Sequence, residues 1–273
     1  MTLQAQVHSQ DAQRALDHAV RATPAVAVVL DARTGRILAS THLNETSRTA
    51  PGSALKPFFL IQGLRRELID PQTTVLCRRQ LHIAGRNVDC THPQNEIAFD
   101  AEQALAYSCN SYFAELAKRF APDDEVTALT NYGVPRSSVL RMPANTQQSQ
   151  LFILGLEGVS VTPMQLAGAY RKLADDLMNL PPESRMQTVL QGLEDSVTYG
   201  MGHNAYVTGL SIAGKTGTAS DPGEPWTHGW FAGFAPAKSP RAIVVVYLPR
   251  GNGADAARLA QVFFREYKGA LLP

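Results

Sequence analysis

The sequence has almost no net charge: 25 Lys and Arg against 24 Asp and Glu leave +1 over 273 residues. That balance gives no electrostatic case for nucleic acid or for an anionic membrane surface. No apolar run approaches the roughly 20 residues that span a bilayer. The start, residues 1–10, is polar and lacks the apolar stretch of an export signal. Cysteine is scarce too. Cys77, Cys90 and Cys109 contain no Cys-x-x-Cys pair, so neither a metal site nor a cofactor is expected from spacing. Cys77 and Cys90 flank a polar segment, residues 78–89, centred on Ala84-Gly85, which reads as a hairpin. Its ends can meet in a disulfide or remain two thiols, and the residues leave both open. Cys109 reads as a small packing residue, with no histidine near it in sequence to activate it.

What is present is a folded core: 44% hydrophobic and 18% charged residues, with no internal repeat or low-complexity tract. Residues 11–22 have helical apolar spacing, ended by Pro24. Residues 25–30 form a nearly all-apolar strand, and turn chemistry at residues 31–35 leads into a second strand over 36–40. Near the other end, residues 241–248 read as another buried strand, 254–267 as an amphipathic helix and 229–235 as a further strand. The two chain ends are therefore expected to build one antiparallel sheet, with a largely helical middle over 53–193 and linkers at 135–150 and 179–185.

Three short strings carry chemistry. Pro51-Gly52-Ser53 precedes an apolar run, which puts Ser53 at a helix start and Lys56 one turn on, on the same face. A serine hydroxyl needs a base to become a nucleophile, and a lysine amine can serve if burial lowers its pKa. Ser108-Cys109-Asn110 falls where two helical patterns over 100–116 are interrupted. Ser108 can relay a proton there and Asn110 can hold an amide. Lys215-Thr216-Gly217-Thr218 lies on a predicted strand. Lys215 offers a cation, and Thr216 and Thr218 offer hydroxyls, to a substrate carboxylate. Gly217 permits close approach. A backbone N–H near Thr218 can face that of Ser53 as an oxyanion hole. Gly209 with Gly214-Lys215-Thr216 also fits a phosphate-binding loop by spacing. That loop must lead into a helix, and Gly217, Pro222, Gly223 and Pro225 forbid one.

Together these strings resemble the signature of serine β-lactamases and penicillin-binding proteins. Longer segments extend the resemblance to the transpeptidase domain of a penicillin-binding protein: residues 31–39, 158–167 and 230–236. The resemblance implies an α+β fold, with an antiparallel sheet and flanking helices packed against a mostly helical subdomain. One transpeptidase-like domain over 1–273 is expected, with the sheet part at 23–52 plus 194–273 and the helical part at 53–193. It implies that Ser53 is acylated by a peptide ending in D-alanine or by a β-lactam, and that Lys56 is the base. Ser108, Asn110 and Lys215 then line the site, and Thr216, Gly217 and Thr218 take the terminal carboxylate. Implied partners are peptidoglycan stem peptides, β-lactams as covalent inhibitors and cell-wall synthesis proteins.

Asn110 favours a penicillin-binding protein over a class D β-lactamase. Glu157, in Leu156-Glu157-Gly158, fits the transpeptidase segment better than a deacylating loop, so slow release by water is expected. Alternatives are a β-lactam sensor, a scaffold without turnover, or a β-lactamase. The resemblance also implies an extracytoplasmic, membrane-associated location, with an anchor or signal missing from this chain or attachment through a partner. The loop Thr91-His92-Pro93-Gln94 lacks the glycine that many relatives carry after the histidine, which leaves the donor substrate open. His92, His203 and His228 read as surface or loop residues, and Glu224, Trp226 and His228 as neighbours of the cleft.

Overall fold

Apolar runs at both ends of the chain meet in one sheet. The computed structural model describes residues 3–43, 48–93 and 97–272. It begins with α1 (Leu3–Ala19), followed by the hairpin β1 (Val26–Asp31) and β2 (Ile37–Thr41). The helix starts well before residue 11, because the polar opening is rich in good helix formers such as Gln, Ala and Leu. Next come α2 (Lys56–Arg65), β3 (Val75–Cys77), the small hairpin β4 (His82–Ile83) and β5 (Arg86–Asn87), and β6 (Ile97–Phe99). The helical middle continues with α3 (Ala101–Ala106), α4 (Asn110–Ala117), α5 (Pro122–Thr130), α6 (Thr146–Ile153), α7 (Pro163–Met178) and α8 (Gln187–Thr198). The chain closes with β7 (Ala213–Ala219), β8 (His228–Ala235), β9 (Ala242–Leu248) and α9 (Gly253–Leu271).

The five-stranded sheet runs β2-β1-β9-β8-β7, with every pairing antiparallel. Alternation along β1 and β9 divides two cores. Val28, Leu30, Ile243 and Val245 face the helical layer with Phe58, Tyr170 and Trp230. Ala27, Val29, Val244 and Val246 face α1 and α9 with Phe231, Phe263 and Phe264. Both faces are covered, which is why these strands read as unbroken apolar runs. One expected linker is partly structured. Residues 135–150 include a 3₁₀ turn (Arg136–Ser138) and the start of α6. Asn145 caps that helix by accepting from the Gln148 N–H at 3.0 Å, a local signal the linker reading passed over.

This layering leaves β7 at the sheet edge, beside the 3₁₀ turn Gly52–Leu55 that feeds α2. The Ala84-Gly85 turn has φ of 49° and 79°, the left-handed pair expected of a two-residue hairpin. Among the described residues no helix is long and apolar enough to cross a membrane.

Candidate active site

Ser53 sits in the 3₁₀ turn immediately before α2, and Lys56 is the first residue of that helix. Pro57 occupies the first helical turn, where a missing N–H costs nothing. The turn is fixed from several sides. The Ala50 carbonyl accepts from His228 Nε2 at 2.7 Å and from Trp230 Nε1 at 3.1 Å. The Ala50 N–H donates to Asp221 Oδ1 at 3.1 Å, and Tyr170 donates its hydroxyl to the Ala54 carbonyl at 2.8 Å. These four positioning side chains carried no spacing signal in the sequence. His228 was expected near the cleft as a loop residue, and it is instead fully buried on β8.

Strand β7 lies against the same turn. A Cβ on Gly217 would stand 2.2 Å from the Pro51 carbonyl oxygen and 3.1 Å from the Ala54 nitrogen. A Cβ on Gly52 would meet the Thr218 carbonyl at 2.6 Å. Only glycine lets these two backbones approach so closely, and the contact brings the Thr218 backbone beside Ser53.

The middle motif closes the base of the site. The break between α3 and α4 leaves Ser108 in a left-handed conformation, φ 55°. Asn110 is the first residue of α4. Lys56 Nζ donates to the Ser108 carbonyl at 2.7 Å, to Ser108 Oγ at 3.3 Å and to Asn110 Oδ1 at 2.6 Å. Asn110 Nδ2 in turn donates to the carbonyls of Val88 at 2.9 Å and Asp89 at 3.2 Å. The Asn110 amide is thus engaged at both ends, between the lysine and the small hairpin. Lys56 is fully buried, and loss of hydration pushes its pKa down to about 8.

A cavity of about 420 Å³ opens over these groups, lined by Ser53, Ser108, Asn110, Thr216 and Thr218 and walled by the small hairpin at Arg86 and Asn87. That size suits a small ligand or a peptide end. The hairpin wall was not among the expected site residues. Lys215 is fully buried and does not line the cavity. Its Nζ donates to the Thr216 carbonyl at 3.1 Å. Burial, then repulsion from Lys56, hold its pKa well below the usual value. The cation expected to face a substrate carboxylate is therefore enclosed, while Thr216 and Thr218 line the opening and Thr218 Oγ1 accepts from the Gly253 N–H at 2.9 Å. Glu224 and Trp226 stand outside the lining, with Trp226 carrying the Arg250 guanidinium 4.2 Å above its ring. Gly214-Lys215-Thr216 lies inside β7 with no helix after it, which disposes of the phosphate-loop spacing.

The sequence profile of the penicillin binding protein transpeptidase domain matches residues 25–267. This chain belongs to that family. Penicillin-binding protein PbpB of Mycolicibacterium smegmatis is 25% identical over 335 aligned positions, covering 94% of this chain and 51% of that protein. A probable peptidoglycan D,D-transpeptidase, PenA of Neisseria flavescens, is 28% identical, covering 90% of this chain and 74% of that one. The chain thus spans about half the length of the first relative and about three quarters of the second. The apo transpeptidase domain of Burkholderia pseudomallei penicillin-binding protein 3 superposes with a TM-score of 0.80 at 21% identity, covering 99% and 95% of the two chains. The α+β fold expected of the transpeptidase family is the fold observed.

Proposed function

We propose that this domain is a penicillin-binding serine acyltransferase acting on D-Ala-D-Ala peptides of peptidoglycan, a D,D-transpeptidase or D,D-carboxypeptidase. The observation that carries the reading is the buried Lys56, held by hydrogen bonds to Ser108 and Asn110, two residues that line the same cavity as Ser53. Ser53 Oγ attacks the carbonyl of the penultimate residue, and Lys56 takes the hydroxyl proton. The C–N bond breaks, the terminal amine leaves with a proton, and an ester remains on Ser53. An acceptor amine or water then attacks that ester.

The proton count at Lys56 explains how one amine serves both steps. As an ammonium it has three N–H groups and three acceptors. As a neutral amine it has two, and the longest contact, to Ser108 Oγ at 3.3 Å, is the one released. Ser108 can then donate instead of accept, giving the proton a path between the amine and the leaving group. The backbone N–H groups of Ser53 and Thr218 are assigned to the oxyanion, and Thr216 and Thr218 to the carboxylate.

Strand β7 supports a peptide substrate as well, because an edge strand presents unpaired N–H and C=O groups to an extended chain. Single-domain behaviour over 1–273, an extracytoplasmic location and contacts with other cell-wall proteins belong to the same proposal. Incubation with a penicillin followed by peptide mass spectrometry tests it. One adduct on the Ser53 peptide, absent from Ser53→Ala, is expected. An unmodified Ser53 in folded protein refutes the proposal. Release of D-alanine from stem peptides, with and without an acceptor amine, then separates hydrolysis from transfer.

A further inference from the structure

All three cysteines come together with a histidine behind the active-site wall. Cys77 ends β3, Cys90 and His92 follow the small hairpin, and Cys109 precedes α4. All four side chains are buried, at 0%, 4%, 1% and 0% exposure for Cys77, Cys90, His92 and Cys109. One donor atom from each lies within 4.8 Å of the other three. Cys90 Sγ stands 3.9 Å from Cys109 Sγ, and His92 Nε2 stands 3.3 Å from Cys77 Sγ. A tetrahedral zinc with bonds of about 2.3 Å to sulfur and about 2.0 Å to nitrogen has edges of about 3.8 Å (S–S) and about 3.5 Å (S–N). The two observed separations bracket those edges closely.

We propose that Cys77, Cys90, His92 and Cys109 bind one zinc ion, forming a structural centre that clamps the hairpin wall to the Ser108–Asn110 turn. The ligand set is the soft thiolate and imidazole combination that selects zinc. Its surroundings suit thiolates. The Asn110 N–H donates to Cys90 Sγ at 3.1 Å, and Ser111 Oγ lies 3.5 Å from Cys77 Sγ and 3.8 Å from Cys90 Sγ. His92 is held edge-on by Phe99 at 4.9 Å between ring centroids. Its Nδ1 is buried with no hydrogen-bond partner, so the thiol cluster is the ring's one polar contact among the described residues. Three thiolates and one Zn²⁺ leave a net charge of −1. The Lys56 ammonium, bonded to both neighbours of Cys109, offsets it.

A disulfide explains the cluster less well. All three thiols are free, and the 3.9 Å between Cys90 and Cys109 sulfurs is nearly twice the roughly 2.05 Å of an S–S bond. Cysteine spacing registers only local pairs, whereas these four side chains come from segments either side of the hairpin and from the residue before α4.

The test uses the whole chain, purified reduced and without chelator. Elemental analysis should find one zinc per chain, and Cys77→Ser and Cys90→Ser should each lose it. After chelation, Co²⁺ should produce a thiolate-to-cobalt charge-transfer band and a tetrahedral ligand-field spectrum, both abolished by added Zn²⁺. Hydrogen exchange over residues 82–92 should quicken on zinc removal. No zinc as isolated, with no charge-transfer band on adding Co²⁺ to the fully reduced chain, overturns the proposal. So does a Cys90–Cys109 disulfide in freshly isolated protein. The cobalt spectrum of the unmodified chain decides even if a variant fails to fold, and none of these readouts depends on acylation of Ser53.

Discussion

The state of Lys56 can be titrated, and its consequences are quantitative. Burial holds its pKa at about 8. Roughly one Lys56 in ten is then a neutral amine at pH 7, against about one in 2,500 for an ordinary lysine near 10.4. If the neutral amine takes the Ser53 proton, the second-order rate of acylation should rise about tenfold per pH unit up to roughly pH 8 and then level off. A fluorescent penicillin, with rates measured from about pH 6 to about pH 10 at fixed ionic strength, reads this directly. Lys56→Arg stays charged throughout and should lose both the rate and the inflection. Lys215 is also pushed below its usual value, so a control is needed. Lys215→Met should acylate more slowly yet keep the inflection near 8. The same shift acts on stability. The folded pKa is the lower one, so between about pH 8 and 10.4 the unfolded chain binds more protons. The Lys56 contribution to the unfolding free energy should therefore rise with pH across that window, by about 3 kcal/mol. A rate that is flat with pH, or still climbing at pH 10, refutes the assignment of Lys56 as base.

Three further outcomes follow from the geometry. Lys215→Met replaces a fully buried amine with an apolar side chain of similar length, so Tm should hold or increase while acylation falls about 100-fold. Gly217→Ala drives a methyl onto the Pro51 carbonyl at 2.2 Å, which should cost about 2 kcal/mol, lower Tm by about 5 °C and slow acylation by displacing β7 from Ser53. Glu125 is fully buried, and burial raises its pKa to about 7. The folded value is the higher one, so its favourable contribution below about pH 4.5 is lost as pH rises through 7. Glu125→Gln should therefore be more stable than the parent at pH 8, by up to about 3 kcal/mol, with the difference shrinking toward pH 5 in thermal melts.

Sequence pattern carried some parts of this molecule and not others, for a physical reason. Ser53 and Lys56 share a helix face by spacing, and β1, β8 and β9 are apolar runs too continuous for a half-exposed strand. Such periodicities report which face of an element is buried. They do not report which distant segment covers it. That Ala50 is gripped by His228 and Trp230, or Ala54 by Tyr170, is a fact of packing between layers. The same limit hid the cysteine cluster and the hairpin wall at Arg86 and Asn87. Lys215 shows it most sharply: its motif placed it on a strand as a cation for a substrate carboxylate, and nothing in the pattern told of its full burial.

Burial is also what joins the separate parts into one site. An exposed Lys56 would be neutral only about once in 2,500 at pH 7 rather than roughly once in ten, so the walls around it set how often it can accept a proton. One wall is the Ser108 turn, whose left-handed backbone lets a single residue present both its carbonyl and its hydroxyl to the amine. A non-glycine residue at φ 55° costs about 1 kcal/mol or more and persists only where its surroundings enforce it. Here the enforcing contacts come from the far side. Asn110 is tied to the carbonyls of Val88 and Asp89, and its N–H to Cys90 Sγ. In the proposed mechanism the hairpin therefore supports the acid–base groups without touching the reacting atoms. Loosening it admits water to Lys56, restores its hydration and raises its pKa. That would disable the proposed base while leaving every motif residue in place.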